Sequence, residues 1–209
     1  MKAGWNLFLN NKNNRRVLFF SVAGLAIILF VFLHFLTYNE FRRGWIFHDP
    51  ILALFGPVDV SDLTFLITYV FCISGIIIAL QTPVLFVKLL QAYAIMTLLR
   101  MVCMFLIPLE PPANIIPLHD VLLHSTFYSG RDNLKDLFFS GHTTTLFLFA
   151  FAFENKKLKI TFVMVACVVG MLLMLQHVHY SIDVAAAPLV AYVVLRVQRM
   201  VMRFAEDRK

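Results

Sequence analysis

Residues 17–37 read VLFFSVAGLAIILFVFLHFLT. Twenty-one positions pass without a carboxylate, an ammonium or a guanidinium, and His34 is the one ionisable side chain among them. A helix rises about 1.5 Å per residue, so this stretch can cross the roughly 30 Å hydrocarbon core of a bilayer. No clear small-x-small cleavage site follows it, so it reads as a retained helix and not as a removed leader. Lys12, Arg15 and Arg16 stand just before it.

Working outward, the same texture recurs. Apolar runs at 62–80, 84–107, 138–153, 158–176 and 182–201 bring the total to about six. The 209 residues are 60% hydrophobic, with a mean hydropathy of +0.80. Soluble domains run roughly 45–50% apolar, and a water-soluble fold could not hide the excess. The expected architecture is an all-α polytopic membrane helix bundle of about six transmembrane helices. It forms a single membrane domain over 1–209, with its chemistry-bearing motifs within 95–195.

Charge sets the expected orientation. Lys2, Lys12, Arg15 and Arg16 lie before the first run, Lys156, Lys157 and Lys159 crowd one short loop, and Arg196, Arg199, Arg203, Arg208 and Lys209 close the chain. Basic segments favour the cytoplasmic face, and six crossings put all three there, with both termini cytoplasmic. The long connections 38–61 and 108–137 then face the extracytoplasmic side, together with the hinge near His177–Asp183. The net charge of +6 is spent on orientation, not on a basic patch for nucleic acid, and no nucleic-acid partner is expected. Cys72, Cys103 and Cys167 each lie in an apolar run and read as small packing residues. Trp5, Trp45 and Tyr38 suit interfacial belts, and Glu40, Asp49, Asp59 and Asp62 read as solvated loop charges.

Two polar segments interrupt this background on the extracytoplasmic side: Asp136-Leu137-Phe138-Phe139-Ser140-Gly141-His142-Thr143 and His177-Val178-His179-Tyr180-Ser181-Ile182-Asp183-Val184. His179 and Asp183 are four apart and share a helix face. A carboxylate there can fix the imidazole tautomer and leave the other nitrogen to attack. Equally, Asp183 could simply cap the start of the last helix. Gly141 permits close backbone approach, and Ser140 can cap the fourth helix and offer its hydroxyl or nearby N–H groups to an anion. His142 follows directly. Arg100 lies deep in the third run with no carboxylate within a helical turn, so it should face a polar cavity, where a phosphate is its natural partner.

These residue types fit phosphoryl transfer. His179 attacks phosphorus, Arg100 and local N–H groups neutralise the oxygens, and His142 serves as acid and then base. No metal or other cofactor is called for, because the histidine is itself the nucleophile. Two other classes compete. One is a non-catalytic membrane protein binding an anionic lipid at Arg100. The other is a metal site drawn from His119, His124, His142, His177 and His179, although no sharp ligand pattern such as HExxH occurs.

The segments Asp136-x-x-Phe139-Ser140-Gly141-His142-Thr143 and His179-Tyr180-Ser181-Ile182-Asp183-Val184 resemble two motifs of the sphingomyelin synthase family, within the type 2 phosphatidate phosphatase superfamily. Arg100, followed by Pro108-Leu109-Glu110-Pro111-Pro112, resembles the arginine-to-proline segment of a third. The resemblance implies a six-helix bundle with an extracytoplasmic site, His179 as nucleophile, Asp183 as its partner and His142 as acid/base. This chain departs from the superfamily pattern in four ways. It has no Arg-Pro dipeptide, Leu172-Leu173 stands where Ser-Arg often precedes the nucleophile, Lys135 replaces the glycine usual before Asp136, and the spacing after Arg100 is shorter. Phosphate contacts are then expected from Arg100, Arg131 and Lys135, with Asp136, Ser140 and Gly141 around them. The departures favour the synthase-like branch over ordinary lipid phosphatases. The implied reaction moves a phospho-alcohol from a glycerophospholipid to ceramide or another lipid alcohol, and a lipid phosphate phosphatase with water as acceptor uses the same residues. Membrane lipids are the expected partners. The sequence gives no oligomeric state. The short chain without an accessory domain points to a bacterial inner membrane.

Overall fold

The computed structural model describes residues 2–118 and 133–206. Among these residues the helices are α1 (Lys2–Asn10), α2 (Lys12–Glu40), α3 (Ser61–Leu80), α4 (Pro83–Leu106), α5 (Gly141–Ala152), α6 (Lys156–Leu175) and α7 (Ser181–Glu206), with a 3-10 turn at Leu52–Leu54. Among the described residues there is no strand, only an isolated parallel bridge between Trp45 and Leu109. The all-helical expectation holds.

The apolar runs become α2 to α7, but not all alike. Among the described residues five helices are long and apolar enough to cross a membrane: α2, α3, α4, α6 and α7. The fourth run does not become a full span. α5 has 12 residues, about 18 Å at helical rise, well short of the roughly 30 Å hydrocarbon core. Leu146, Phe147, Leu148, Phe149 and Ala150 are all buried, so α5 is apolar all round because protein surrounds it. The outer faces of the long helices stay apolar and exposed, as at Phe19, Phe20, Ile27 and Phe30 on α2, which suits lipid as solvent.

The helices pack tightly around α5. A Cβ added at Gly170 on α6 would lie 2.6 Å from Val184 Cγ1 on α7, with Thr143 of α5 next at 3.5 Å. Only glycine lets these three helices converge there. α1 was not foreseen. It folds against the α3–α4 turn, where the Trp5 indole N–H donates to the Leu80 carbonyl (2.7 Å), and Asn11 caps the start of α2.

The two ends of the bundle differ in character. The last residues of α2, α4 and α6 share one end with the first residues of α3, α5 and α7. Asn39 Nδ2 reaches the Lys135 carbonyl (2.8 Å), Gln176 Nε2 reaches Ser61 Oγ (2.7 Å), and Ser140 N–H reaches the Asp183 carbonyl (3.2 Å). Lys12, Arg15 and Arg16 on α2, and Lys156, Lys157 and Lys159 on α6, open their helices at the opposite end.

Candidate active site

The stretch that delivers His179 begins with a helix stop. α6 ends in a Schellman pattern: Val178 N–H donates to the Leu173 carbonyl (3.0 Å) and His177 N–H to that of Met174 (2.9 Å). His177 takes the left-handed position (φ 58°), where glycine is usual. Its Nδ1 lies 3.2 Å from the Ala113 carbonyl and its ring packs edge-on against Phe55. Four residues on, at Ser181, α7 starts, and Asp183 caps it by accepting the Tyr180 N–H through Oδ2 (3.0 Å). The same oxygen lies 3.3 Å from His179 Nδ1. The cap and the imidazole partner, alternatives at the level of sequence, are thus one carboxylate oxygen. Both side chains are sealed from water, at 2% and 0% exposure. Nδ1 is committed to Asp183, which leaves Nε2 as the ring nitrogen for chemistry.

The Ser140–Asp183 hydrogen bond pins the start of α5 to the start of α7, so motifs about 40 residues apart meet. Ser140 does not offer its hydroxyl outward: Oγ donates to Thr143 Oγ1 (3.0 Å), and the Ser140 carbonyl accepts from Thr144 N–H and Oγ1. His142, half-buried, stands edge-on to Phe65 of α3 with ring centroids 6.2 Å apart.

Arg100 reaches this point from α4, six residues before its last residue, about 9 Å below that end. Its guanidinium lies on the bare Cα of Gly141: a Cβ there would fall on Nη1, with Cζ at 2.5 Å. Arg100 is 8% exposed and stands over the Phe32 ring of α2 at 5.6 Å. The sequence leaves it without a carboxylate. The fold supplies one, with Nη2 2.8 Å from Asp136 Oδ1, because the chain before α5 folds back over α4. Asp136 therefore sits in the expected phosphate region as the partner of a cation. Arg100 Nε is buried with no hydrogen-bond partner.

Lys135 points elsewhere. Its Nζ donates to the Arg42 carbonyl (2.7 Å) and contacts Glu110 Oε2 (2.9 Å), while its N–H, like that of Leu134, donates to Glu40 Oε2 (3.1 Å). The Gly44 N–H and then Lys135 hold the Glu110 carboxyl below the usual carboxylate range. Lys135 thereby braces the loops above the site. Arg131, His119 and His124 lie outside the described residues. Among the described residues no group of three or more His, Cys, Asp or Glu side chains is placed to hold a metal ion.

Two residues that position the site escape a sequence reading. Asp49 is buried, not a solvated loop charge. Its Oδ2 accepts the Ser181 N–H (2.6 Å) at the start of α7 and its Oδ1 those of Ile51 and Leu52. Burial raises its carboxyl, but the hydrogen bonds from Ser181, Ile51 and Leu52 outweigh it and hold the group below its usual range. Asp49-Pro50 signals a turn, yet nothing local points to Ser181. Gln176, fully buried, accepts from Val60 N–H and donates to Ser61 Oγ and the carbonyls of Ile116 and Pro117, tying α3 and the loop after α4 to the end of α6. A lone amide ending an apolar run is the signal that could have flagged it. Glu40, accepting two backbone N–H groups, is likewise engaged.

Residues 135–200, about a third of the chain, match the family described as PAP2 superfamily C-terminal. The matched stretch holds Asp136, Ser140, Gly141, His142, His179 and Asp183, and it supports the resemblance at the level of the superfamily. No curated protein and no solved structure matches the chain.

Proposed function

We propose that this chain is an integral membrane lipid head-group phosphotransferase that works through a phospho-histidine. His179 Nε2 attacks phosphorus, the bond to the leaving alcohol breaks, and His142 gives that oxygen a proton. In the second step His142 takes the proton from an acceptor alcohol, whose oxygen attacks phosphorus and releases His179. Asp183 orients the ring and balances the imidazolium, and Arg100 faces the phosphoryl oxygens. The substrate is a phospholipid donor, and the acceptor is ceramide or another lipid alcohol. The site end is the extracytoplasmic one, since the basic segments gather at the other.

One observation carries the reading. The guanidinium resting on Gly141 and the Ser140–Asp183 hydrogen bond bring Arg100, His142 and the His179–Asp183 turn to the start of one buried helix, which supports these roles. The superfamily match supports phosphatase or phosphotransferase chemistry in general. Because one histidine must be neutral and the other protonated, the rate is expected to rise and fall across pH in a bell.

The test supplies purified protein in liposomes with labelled phospholipids, with and without ceramide, and resolves products by mass spectrometry. A new phosphosphingolipid with diacylglycerol as co-product, absent from His179→Ala, supports transfer and identifies the head group. Phosphate release from lipid monophosphates without transfer moves the acceptor to water. No turnover of either kind removes the enzymatic reading in favour of anionic-lipid binding.

A further inference from the structure

Hydroxyls inside these helices have a habit. Thr37, Ser74, Thr97, Thr144 and Thr145 each donate to the carbonyl one turn back, at 3.3, 2.6, 2.9, 2.6 and 2.8 Å. Thr64 and Thr68 on α3 break it. They are 0% and 4% exposed, and neither Oγ1 has a hydrogen-bond partner. A buried hydroxyl left unpaired costs about 1–3 kcal/mol, so two of them one turn apart call for a ligand.

Their placement names the side of the site they serve. Spaced by four, they share one face of α3, the face that carries Ser61 and, further along, buried Gly75. Phe65, beside Thr64 in the chain, packs on His142. Arg100 instead lies on Gly141. Gly75, seven residues beyond Thr68 on the same face, lies against the Phe149 ring, seven residues beyond His142 on α5, and the two helices start at the same end, so the start of α5 has a cationic flank towards α4 and a neutral, hydroxyl-bearing flank towards α3. The cationic flank suits phosphoryl oxygens. Two hydroxyls carry no charge and both donate and accept, which suits a hydroxyl, ester or amide.

We propose that Thr64 and Thr68 seat the neutral polar backbone of the lipid alcohol, the group that leaves from or attacks phosphorus beside His142. This rests on the phosphotransfer reading, with lipid esters or amides as the ligand class.

The test compares wild type with the Thr64→Val/Thr68→Val double variant, measuring Tm in detergent with short-chain diacylglycerol and short-chain ceramide as probes. Valine keeps the shape and removes the hydroxyls. At least one probe should raise the wild-type Tm. The variant sheds two unpaired buried hydroxyls, so it should keep or raise its lipid-free Tm. It should also lose that shift, and show KM values raised about tenfold both for the lipid alcohol and for the phospholipid donor, which carries that alcohol as its leaving group. Equal shifts in both proteins would overturn the proposal, as would no shift in wild type with either probe. A marked drop in the variant's lipid-free Tm would also overturn it, by making the hydroxyls structural. Turnover by wild type and His179→Ala in the same preparations judges the phosphotransfer reading separately.

Discussion

Asp183 Oδ2 takes the Tyr180 N–H at 3.0 Å and faces His179 Nδ1 at 3.3 Å, so a helix cap and the proposed nucleophile's orientation hang on one atom. Asp183→Asn keeps an acceptor for the cap and loses the charge that balances the imidazolium. Turnover is expected to fall by about a hundredfold or more while Tm in detergent changes little. A wild-type rate in this variant or in His179→Ala would end the assignment. Gly141 gives a sharper contrast. Alanine suits a helix better than glycine by about 0.5–1 kcal/mol, but here its methyl group would displace the Arg100 guanidinium. Gly141→Ala should therefore lower kcat/KM at least tenfold without loss of thermal stability, as paired kinetics and melting would show. The spacing of His179 and Asp183 made their pairing legible in the sequence, although His179 precedes α7 and meets Asp183 through the helix cap and not along a helix face. The Arg100–Asp136 pair was not legible, because the two lie 36 positions apart and only the folded loop joins them.

The elements around the site are held by loop residues that bond at long range. Trp45 N–H donates to the Pro108 carbonyl (2.8 Å) and Glu110 N–H to that of Trp45 (2.9 Å), and Tyr180 Oη donates to the Glu110 carbonyl (2.9 Å), so both loops brace the turn into α7. Asp49→Ala removes the acceptor for Ser181 N–H and should cost about 1–2 kcal/mol while lowering kcat more than it raises KM, measured by chemical denaturation and kinetics. The carboxyls of Asp49 and Glu110 are both held below their ordinary values in the folded protein. The stability they confer is complete above the unfolded-state values near pH 4 and is lost as pH falls through the lower folded-state ones. A melting profile against pH should drop in that acid window, and the Asp49→Asn/Glu110→Gln variant should flatten the drop. An unchanged profile would remove these two groups from the account. At this scale hydropathy located every apolar run but not its surroundings. It reads α5 and α6 alike, although one is enclosed by protein and the other faces lipid.

Across the whole molecule, the basic helix openings and the proposed site occupy opposite ends. Helix direction puts the openings of α2 and α6, with Lys12, Arg15, Arg16, Lys156, Lys157 and Lys159, away from His142, His179 and Asp183. In a background with Cys72, Cys103 and Cys167 replaced by serine, an impermeant thiol reagent on intact cells should label Gly56→Cys and spare Glu154→Cys. The reverse pattern would invert the proposed orientation. This division was legible early, since basic loops alternate with long acidic ones along the chain, whereas the recess of Arg100 below the end of α4 emerges only from packing. In the proposed cycle His179 carries the transferred group. Rapid quench of the protein with a labelled phospholipid, followed by peptide mass spectrometry under alkaline conditions, tests it directly. The phospho-group's mass increment is expected on His179, formed within one turnover and absent from His179→Ala. Turnover with no adduct on His179, or with the adduct on another residue, would contradict it.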